Sequence, residues 1–323
     1  MLISVRAAAV LLTVMATAYL LQIAGQGGPS HKLPPIVIPV QAEDATAVAS
    51  SRESFLTHLD VVPVGRRNIT LPILMYHYVR NPPSMRNDLL GYRLSVSPAD
   101  FTAQMDWLTA HGFHTVDFND VRAYFAGRQP LPANPVVLTF DDGYADLYSN
   151  AYPILTAHGF KAVAYIVSGF VGQPHYVTPG QLVQMDQNGI QIASHTVDHA
   201  NLARSSGASL MHELVDSKRS LENLLGHPVV DFAYPSGQFN AQAVAAVERV
   251  GYDTAVTTLF SVDHSMADRY VWTRVRVGGG ESLTDFASSL GKPMPSTTIT
   301  TLAIETAQIA LPPLARPSQQ LAR

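Results

Sequence analysis

The chain has 323 residues, of which 47% are hydrophobic and 14% are charged, so it can bury a sizeable core. Its formal net charge of -4 provides no basic field, which argues against a nucleic-acid partner. It contains no cysteine, which excludes disulfides, thiolate nucleophiles, cysteine-ligated metals and lipid attachment at a processed cysteine. The composition is that of a globular protein.

The amino terminus carries an apolar segment. One cation, Arg6, precedes an apolar run from Ala7 to about Ala24. The run is near the lower length limit for a membrane-spanning helix, and it also fits the core of a signal peptide. We expect residues 1–25 to be one of these two, and the rest of the chain to be exported to the periplasmic or extracellular face. Residues 26–68, rich in Gly, Pro, Ser and Ala, predict a linker.

From residue 69 onward, strand-like and helix-like segments alternate. The run from Ile69 to Val79 predicts a strand, and Ser97 followed by Pro98 predicts the start of a helix that ends at Gly112. Repeated alternation of this kind predicts parallel β/α units, with the active site at the carboxyl ends of the strands. We expect one catalytic domain over 69–291 and a loosely ordered tail over 292–323.

The segment "TFDDG", Thr139 to Gly143, places two adjacent carboxylates at the end of an apolar strand. Neighbouring side chains of a strand point to opposite faces, so Asp141 and Asp142 can converge only where the backbone turns, which Gly143 permits. An ordinary turn that caps the next helix would give the same sequence. A shared cation, by contrast, would relieve the repulsion and leave one aspartate as a ligand and the other as a base.

A second polar strand exit, "SHTVDH", contains His195 and His199. Their spacing alone is not specific, but they follow another apolar strand of the same series. Asp142, His195 and His199 would form a set of two histidines and one carboxylate, which suits zinc and related divalent ions and leaves coordination open for water and substrate. A metal there would lower the pKa of bound water, and Asp141 could take the proton.

Together, "TFDDG" and "SHTVDH" resemble the first two motifs of the polysaccharide deacetylase family, the NodB-like carbohydrate esterases. The resemblance covers roughly residues 70–290. It implies an α/β fold, a deformed and incomplete (β/α) barrel. It also implies metal-dependent removal of acetyl groups from N-acetylglucosamine polymers or acetylated xylan. Asp141 matches the family's catalytic base, and Asp142, His195 and His199 match its metal ligands, with Zn²⁺ as the expected ion.

The third family motif is altered in this chain. The family often has Arg-Pro-Pro-Tyr-Gly, whereas "FAYPSG" has Ala233 at the arginine position and Ser236 at the tyrosine position. The oxyanion role belongs to the backbone N–H after Pro235, so Ser236 can still supply it. Arg274 and Arg276 alternate with valines on a predicted strand. Either could replace the arginine that orients the base, unless both are surface residues of an edge strand.

The general acid also differs from the common pattern. The family's C-terminal Leu-x-His is not recognisable, because residues 283–291 contain no histidine, whereas "PILMYHYV" contains His77. This arrangement resembles the branch that acts on poly-β-1,6-N-acetylglucosamine, in which an early histidine is the acid. The resemblance therefore predicts that His77 protonates the leaving amine.

The expected function is N-deacetylation of an N-acetylglucosamine-containing polysaccharide, with poly-β-1,6-N-acetylglucosamine favoured. A deacetylase of O-acetylated xylan or peptidoglycan is one alternative, and a non-catalytic envelope glycan-binding protein with a degenerate site is another. The expected partners are the polysaccharide and, through an uncleaved N-terminal segment, the membrane. No nucleic acid or protein partner is expected.

Several ring side chains are candidates for contacts with the sugar, although each could equally belong to the core. They are Tyr76, Tyr234, Pro235 and Trp272. Asp263 and His264 are expected in a solvated loop.

Overall fold

The structure is a computed structural model that describes residues 61–62 and 68–291. The predicted N-terminal segment 1–25, nearly all of the predicted linker 26–68 and the predicted tail 292–323 lie outside these ranges. Within the described ranges, no helix has the length and apolar content needed to cross a membrane.

The described chain alternates strands and helices, as the sequence predicted. The strands are β1 (Val61–Val62), β2 (Asn68–Thr70), β3 (Ile73–Tyr76), β4 (Tyr78–Val79), β5 (Ser95–Val96), β6 (His114–Thr115), β7 (Leu131–Pro132), β8 (Pro135–Phe140), β9 (Ala162–Ile166), β10 (Ile190–Ser194), β11 (Asp231–Ala233), β12 (Thr254–Val256), β13 (Asp263–Ser265) and β14 (Val275–Arg276). The α-helices are α1 (Leu89–Leu94), α2 (Pro98–Ala110), α3 (Phe118–Phe125), α4 (Tyr152–His158), α5 (Pro179–Gln187), α6 (Gly207–Met211), α7 (Ser217–Leu225), α8 (Ala241–Val250) and α9 (Leu283–Ser289). Two π-helical segments, Leu147–Ala151 and His212–Asp216, and two 3₁₀ turns, Ser168–Phe170 and Pro235–Gly237, are the remaining helical elements of the described residues.

The central sheet has the strand order β12-β11-β10-β9-β8-β3-β14, and β6 pairs with the beginning of β8. All of these pairings are parallel. The segment from Trp272 to Arg276 reaches both edges of the sheet, because Trp272 bridges to Val256 of β12 while Val275 of β14 pairs with Leu74 of β3. The sheet therefore curls into an incomplete barrel, and its carboxyl ends converge on one rim.

Alternate residues of the strands belong to two different core clusters. Leu138, Ala164 and Ile192 pack with the surrounding helices. Val137 and Tyr165 pack with residues of α3 on the concave face. Because side chains alternate along a strand, Thr139 and then Asp141 continue the concave face that begins at Val137. The turn after β8 thus presents Asp141 toward the inside of the barrel.

Two local predictions have different outcomes. The helix expected at Ser97 is confirmed, since α2 begins at Pro98 and the Ser97 hydroxyl accepts a hydrogen bond from the Asp100 amide at 3.0 Å. The single strand expected from Ile69 to Val79 is wrong, because the run is divided into β2, β3 and β4. Pro72, which has no amide hydrogen for a ladder, lies at the first break, and His77 lies at the second.

Candidate active site

Asp142, His195 and His199 meet at the carboxyl ends of β8 and β10. One potential ligand atom from each residue lies within 4.8 Å of the others. His195 Nε2 is 3.4 Å and His199 Nε2 is 3.3 Å from Asp142 Oδ1. Asp142 and His199 have positive φ angles of 74° and 57°, a conformation that non-glycine residues seldom adopt without a functional reason. The turns that end the two strands therefore bring the predicted set together.

The donor set fits a divalent metal. His195 Nδ1 lies 2.8 Å from the Ala233 carbonyl oxygen, which fixes that nitrogen as the donor and leaves the Nε2 lone pair facing Asp142. Asp142 Oδ1 is buried and has no hydrogen-bond partner among the described residues. Although burial raises the pKa of Asp142, the two histidines hold it well below its usual range. A buried carboxylate oxygen flanked by two imidazoles is a set that Zn²⁺ would satisfy.

A buried carboxylate from the adjacent helical segment holds the loop that carries both histidines. Glu213 Oε2 accepts hydrogen bonds from the amides of Val197 at 2.9 Å and Asp198 at 3.1 Å. From the other side, the Gly169 amide donates to the Val197 carbonyl at 2.9 Å. A Cβ on Gly169 would lie 2.6 Å from that oxygen, so this approach requires glycine. Glu213, in the π-helical segment His212–Asp216, thus fixes the loop between His195 and His199.

Asp141 is bound by Arg274 through two parallel hydrogen bonds. Nη1 donates to Oδ1 and Nη2 to Oδ2, each at 2.7 Å. Arg274 is itself fixed, because its Nε donates to the Thr257 carbonyl at 2.8 Å. Burial alone would raise the pKa of Asp141, but the guanidinium lowers it below its usual value. Asp141 is therefore an ionised, oriented carboxylate beside Asp142.

The sequence left open whether Arg274 or Arg276 contacts Asp141, or whether both are surface residues, and the positions of the two side chains differ. Arg274 is fully buried against Asp141, whereas Arg276 is exposed. Of the two arginines, Arg274 is therefore the one that binds Asp141. Arg276 makes no direct contact with Asp141 in the described structure and influences it only through its charge.

His77 faces the same carboxylate from the end of β3. Its Nε2 lies 3.9 Å from Asp141 Oδ2, and its Nδ1 is buried without a hydrogen-bond partner among the described residues. Burial lowers the pKa of His77 despite the nearby charges of Asp141 and Asp142. The imidazole is accordingly neutral at neutral pH and must gain a proton before it can act as an acid.

Ser236 lies in the 3₁₀ turn at the exit of β11, the strand next to β10. Its φ is 52° and its side chain is exposed. Gly237 follows with a φ of 66°, and a Cβ there would lie 2.1 Å from the Thr258 hydroxyl oxygen. The turn places a backbone amide at the same rim as Asp142, His195 and His199. The role of the Ser236 amide as a donor to an oxyanion stays a prediction.

The predicted sugar contacts of Tyr76, Tyr234 and Trp272 are wrong, because all three side chains are fully buried. The Tyr76 hydroxyl donates to Gln104 Oε1 at 2.9 Å, and Trp272 Nε1 donates to the Ser265 carbonyl at 2.8 Å. Pro235 is buried as well, which leaves no free ring face for a sugar. A short apolar run does not show which of its aromatic residues face the core.

The solvated loop expected at Asp263 and His264 is wrong for the backbone and for His264. Both residues belong to β13, which pairs with β2, and His264 is buried while Asp263 is exposed. Three other tyrosines close enough to interact with the charge of Asp142, Tyr78, Tyr144 and Tyr176, are only partly buried, and sequence reasoning passed over them. The position of Tyr144, directly after "DDG", was the available signal.

Comparison with known proteins agrees with this geometry. The polysaccharide deacetylase family matches residues 128–255. YxkH of Bacillus subtilis (strain 168), whose name assigns it to the polysaccharide deacetylases, is 33% identical over 218 residues, which are 68% of this chain and 75% of YxkH. The poly-β-1,6-N-acetyl-D-glucosamine N-deacetylase of Staphylococcus aureus is 25% identical over 237 residues, 67% of this chain and 80% of that protein.

Solved structures share the barrel. Streptococcus pyogenes deacetylase PplD in complex with acetate has a TM-score of 0.63 at 29% identity, covering 69% of this chain and 98% of PplD. IcaB from Ammonifex degensii shares the fold with a TM-score of 0.60 at 24% identity, covering 71% of this chain and 99% of IcaB. The predicted incomplete (β/α) barrel is confirmed, and the chain belongs to the polysaccharide deacetylase family of hydrolases.

Proposed function

We propose that this protein is a metal-dependent N-deacetylase of an N-acetylglucosamine-containing polysaccharide, with poly-β-1,6-N-acetylglucosamine as the favoured substrate. The observation that carries the proposal is the juxtaposition of Asp142, His195 and His199 with an Arg274-bound Asp141. One carboxylate is directed to the two imidazoles and the other to a guanidinium, so the two adjacent aspartates have separate tasks.

Asp142, His195 and His199 would hold the metal, which we expect to be Zn²⁺. When bound, it would supply a Lewis acid for the acetamide carbonyl and an activated water. Asp141, kept ionised by Arg274, is placed to accept the proton of that water as a general base. The Ser236 amide would donate to the developing oxyanion.

His77 would protonate the departing amine. Its imidazole is neutral at rest, so the proton must reach it during the reaction. Asp141 Oδ2, at 3.9 Å from His77 Nε2, is the near source, because the base holds a proton after water attack. This proton path returns both residues to their starting states once the amine leaves.

The substrate preference is supported by two features. His77, near the start of the domain, lies 3.9 Å from Asp141, where the resemblance leads us to expect the acid. The curated relative from Staphylococcus aureus is named as a poly-β-1,6-N-acetyl-D-glucosamine N-deacetylase. Removal of acetyl groups would leave free amines on the polymer, which are cationic at neutral pH.

Acetate release across a substrate panel tests the proposal. Purified protein is loaded with Zn²⁺, its metal content is measured, and it is given β-1,6- and β-1,4-linked N-acetylglucosamine oligomers and O-acetylated xylo-oligomers. We expect stoichiometric metal and the highest kcat/KM on the β-1,6 series. A preference for xylan or for β-1,4 oligomers would overturn the substrate assignment. Absence of acetate release from every member, with metal bound, would support the glycan-binding alternative.

A further inference from the structure

A second group of potential metal-binding side chains lies beside the first. It consists of Asp198, His212 and Glu213, and we call it the outer set. One potential ligand atom from each residue lies within 4.8 Å of the others. None of its members belongs to the set at Asp142, although Asp198 lies on the same loop. Among the described residues, these two groups are the only ones in which three such side chains meet this closely.

Glu213 is a buried carboxylate with one oxygen unused. Only 5% of the residue is exposed. Its Oε2 accepts the hydrogen bonds from the Val197 and Asp198 amides, whereas its Oε1 accepts none from the described residues. Oε1 is not among the enclosed side-chain atoms that lack a partner, so a ligand can reach it from the surface. Because buried charges in proteins are paired or bind metals, Oε1 is a position where a cation would be favourable.

No lysine or arginine compensates the two carboxylates of the outer set. Among the described residues, neither Asp198 nor Glu213 forms an ion pair with such a side chain, and the nearby Arg219 pairs with Asp216 instead. Two carboxylates this close repel each other, and burial of one of them adds a desolvation cost. A divalent cation between them would relieve both.

His212 is held in the orientation that a metal ligand needs. Its Nδ1 lies 2.7 Å from Asp216 Oδ2, four residues along the same π-helical segment. The carboxylate fixes Nδ1 as the donor, so Nε2 of the neutral ring keeps the lone pair that can bind a metal. His195 has the same arrangement, with its Nδ1 at the Ala233 carbonyl. A π-helical turn between two α-helices is itself uncommon and frequently marks a functional site.

We propose that the outer set is a second divalent-metal site, separate from the one at Asp142, and that it takes Zn²⁺ or a similar ion. One imidazole and two carboxylates suit such ions and leave a coordination position for water. An ion there would join Asp198, on the loop between His195 and His199, to the helical run that carries His212. Its role would be to hold that loop in place, and it would bind whatever the substrate of the enzyme is.

The zinc stoichiometry of the full-length protein tests the proposal. Protein stripped of metal is dialysed against buffered Zn²⁺, and the bound metal is measured per chain. We expect two Zn²⁺ in wild type and one in His212→Ala, because a lost ligand should weaken the outer site by more than the roughly 10–100-fold that a lost supporting group costs. His227→Ala is the matched control and should keep both ions, since His227 is similarly exposed and also pairs with an aspartate. Glu213 is not varied, because it also holds the loop of the first site.

Asp142→Asn separates the two sites. It should lose the ion of the candidate active site and keep the outer one, and the double variant Asp142→Asn, His212→Ala should bind neither. Thermal unfolding without metal verifies that each variant is folded. In wild type, the second equivalent of Zn²⁺ should raise the midpoint of thermal unfolding, and in His212→Ala it should not.

One Zn²⁺ per chain in wild type, two in His212→Ala or none in Asp142→Asn would overturn the second site. A loss in His227→Ala equal to that in His212→Ala would also overturn it, because it would show adventitious binding by surface histidines. If wild type binds two ions and releases no acetate from any substrate, the proposed function fails and the outer site stands.

Discussion

Two buried aspartate–arginine pairs lie at opposite ends of the sheet, and they differ in what lies beyond the pair. At the start of β11, Asp231 is bound by Arg122, by the Thr254 hydroxyl and by the Gln191 side-chain amide. At the end of β8, Asp141 is bound by Arg274 but also faces His77.

The environment gives these two carboxyl groups opposite shifts. Burial raises the pKa of Asp231 even though Arg122 opposes the shift, whereas Arg274 overcomes burial and lowers the pKa of Asp141. The first carboxyl group is enclosed by protein donors and ties strands together. The second is kept ionised at an open rim, where it can accept a proton. An ion pair alone therefore does not mark a functional site, and its surroundings do.

The largest expected difference between the two aspartate–arginine pairs is in the effect of their aspartates on kcat. Asp141→Asn should keep the bound metal and lose about 10²–10⁴ in kcat, the range typical of a lost general base. Asp231→Asn, the matched control at the other end, should keep kcat per folded molecule. The measurements are acetate release and metal content. Loss of metal in Asp141→Asn equal to that in Asp142→Asn would contradict the division of roles between the adjacent aspartates.

The next largest difference is in how much each arginine contributes to the free energy of unfolding. Arg274→Met should lower the free energy of unfolding by about 3–5 kcal/mol, because it leaves the Asp141 charge buried without its two donors. Arg122→Met should cost less, since Asp231 keeps the donors from Thr254 and Gln191. Urea unfolding of the two variants at one pH measures the difference. Equal costs would show that the neighbouring donors do not compensate for a missing arginine.

Glu213 extends the comparison to a buried carboxylate paired with backbone amides rather than with arginine. Glu213→Gln should weaken Zn²⁺ binding about 10–100-fold, as loss of a group that supports metal ligands does, because the Val197 and Asp198 amides both donate to Oε2 and both lose a charged acceptor. Equilibrium dialysis with Zn²⁺ measures it. The control is Glu222→Gln on the same helical run, which should bind Zn²⁺ as wild type does. Equal weakening in both variants would show that Glu213 does not position the metal ligands.

The smallest effect concerns His264, a buried imidazole away from the metal set. Burial lowers its pKa, although Asp268 and Asp263 oppose the shift. The unfolded chain then binds the proton more readily, so stability contributed by the neutral ring is lost as pH falls below the ordinary histidine pKa of about 6.5. Wild type should lose more unfolding free energy between pH 7 and pH 5 than His264→Phe. Parallel pH profiles of the two would contradict this.

The sequence predicted the parts of the molecule that depend on local pattern. Apolar runs followed by polar exits predicted β8 and β10, and those exits carry Asp142, His195 and His199. The long-range parts could not be read in this way. The bond between Arg274 and Asp141 joins residues 133 positions apart, and no spacing rule distinguishes Arg274 from Arg276 across that distance.

The burial of individual aromatic side chains was the second feature that the sequence did not predict. Tyr76 and Trp272 looked suitable for sugar contact although both are fully buried, because ring chemistry is the same inside and outside a barrel. Which ring faces solvent depends on how the sheet curls and on which helix covers it. The role of Glu213 likewise depends on how the helical run after β10 folds back onto the loop that joins it to the strand.

The segment from Trp272 to Arg276, which joins the two edges of the sheet, has a consequence for truncated forms of the chain. Asp141 precedes Arg274 by 133 residues, so a chain that ends before residue 274 keeps Asp142, His195 and His199 but lacks the guanidinium that binds Asp141. We expect such a chain to leave the Asp141 carboxylate without its two strongest donors, even where the rest of the sheet forms.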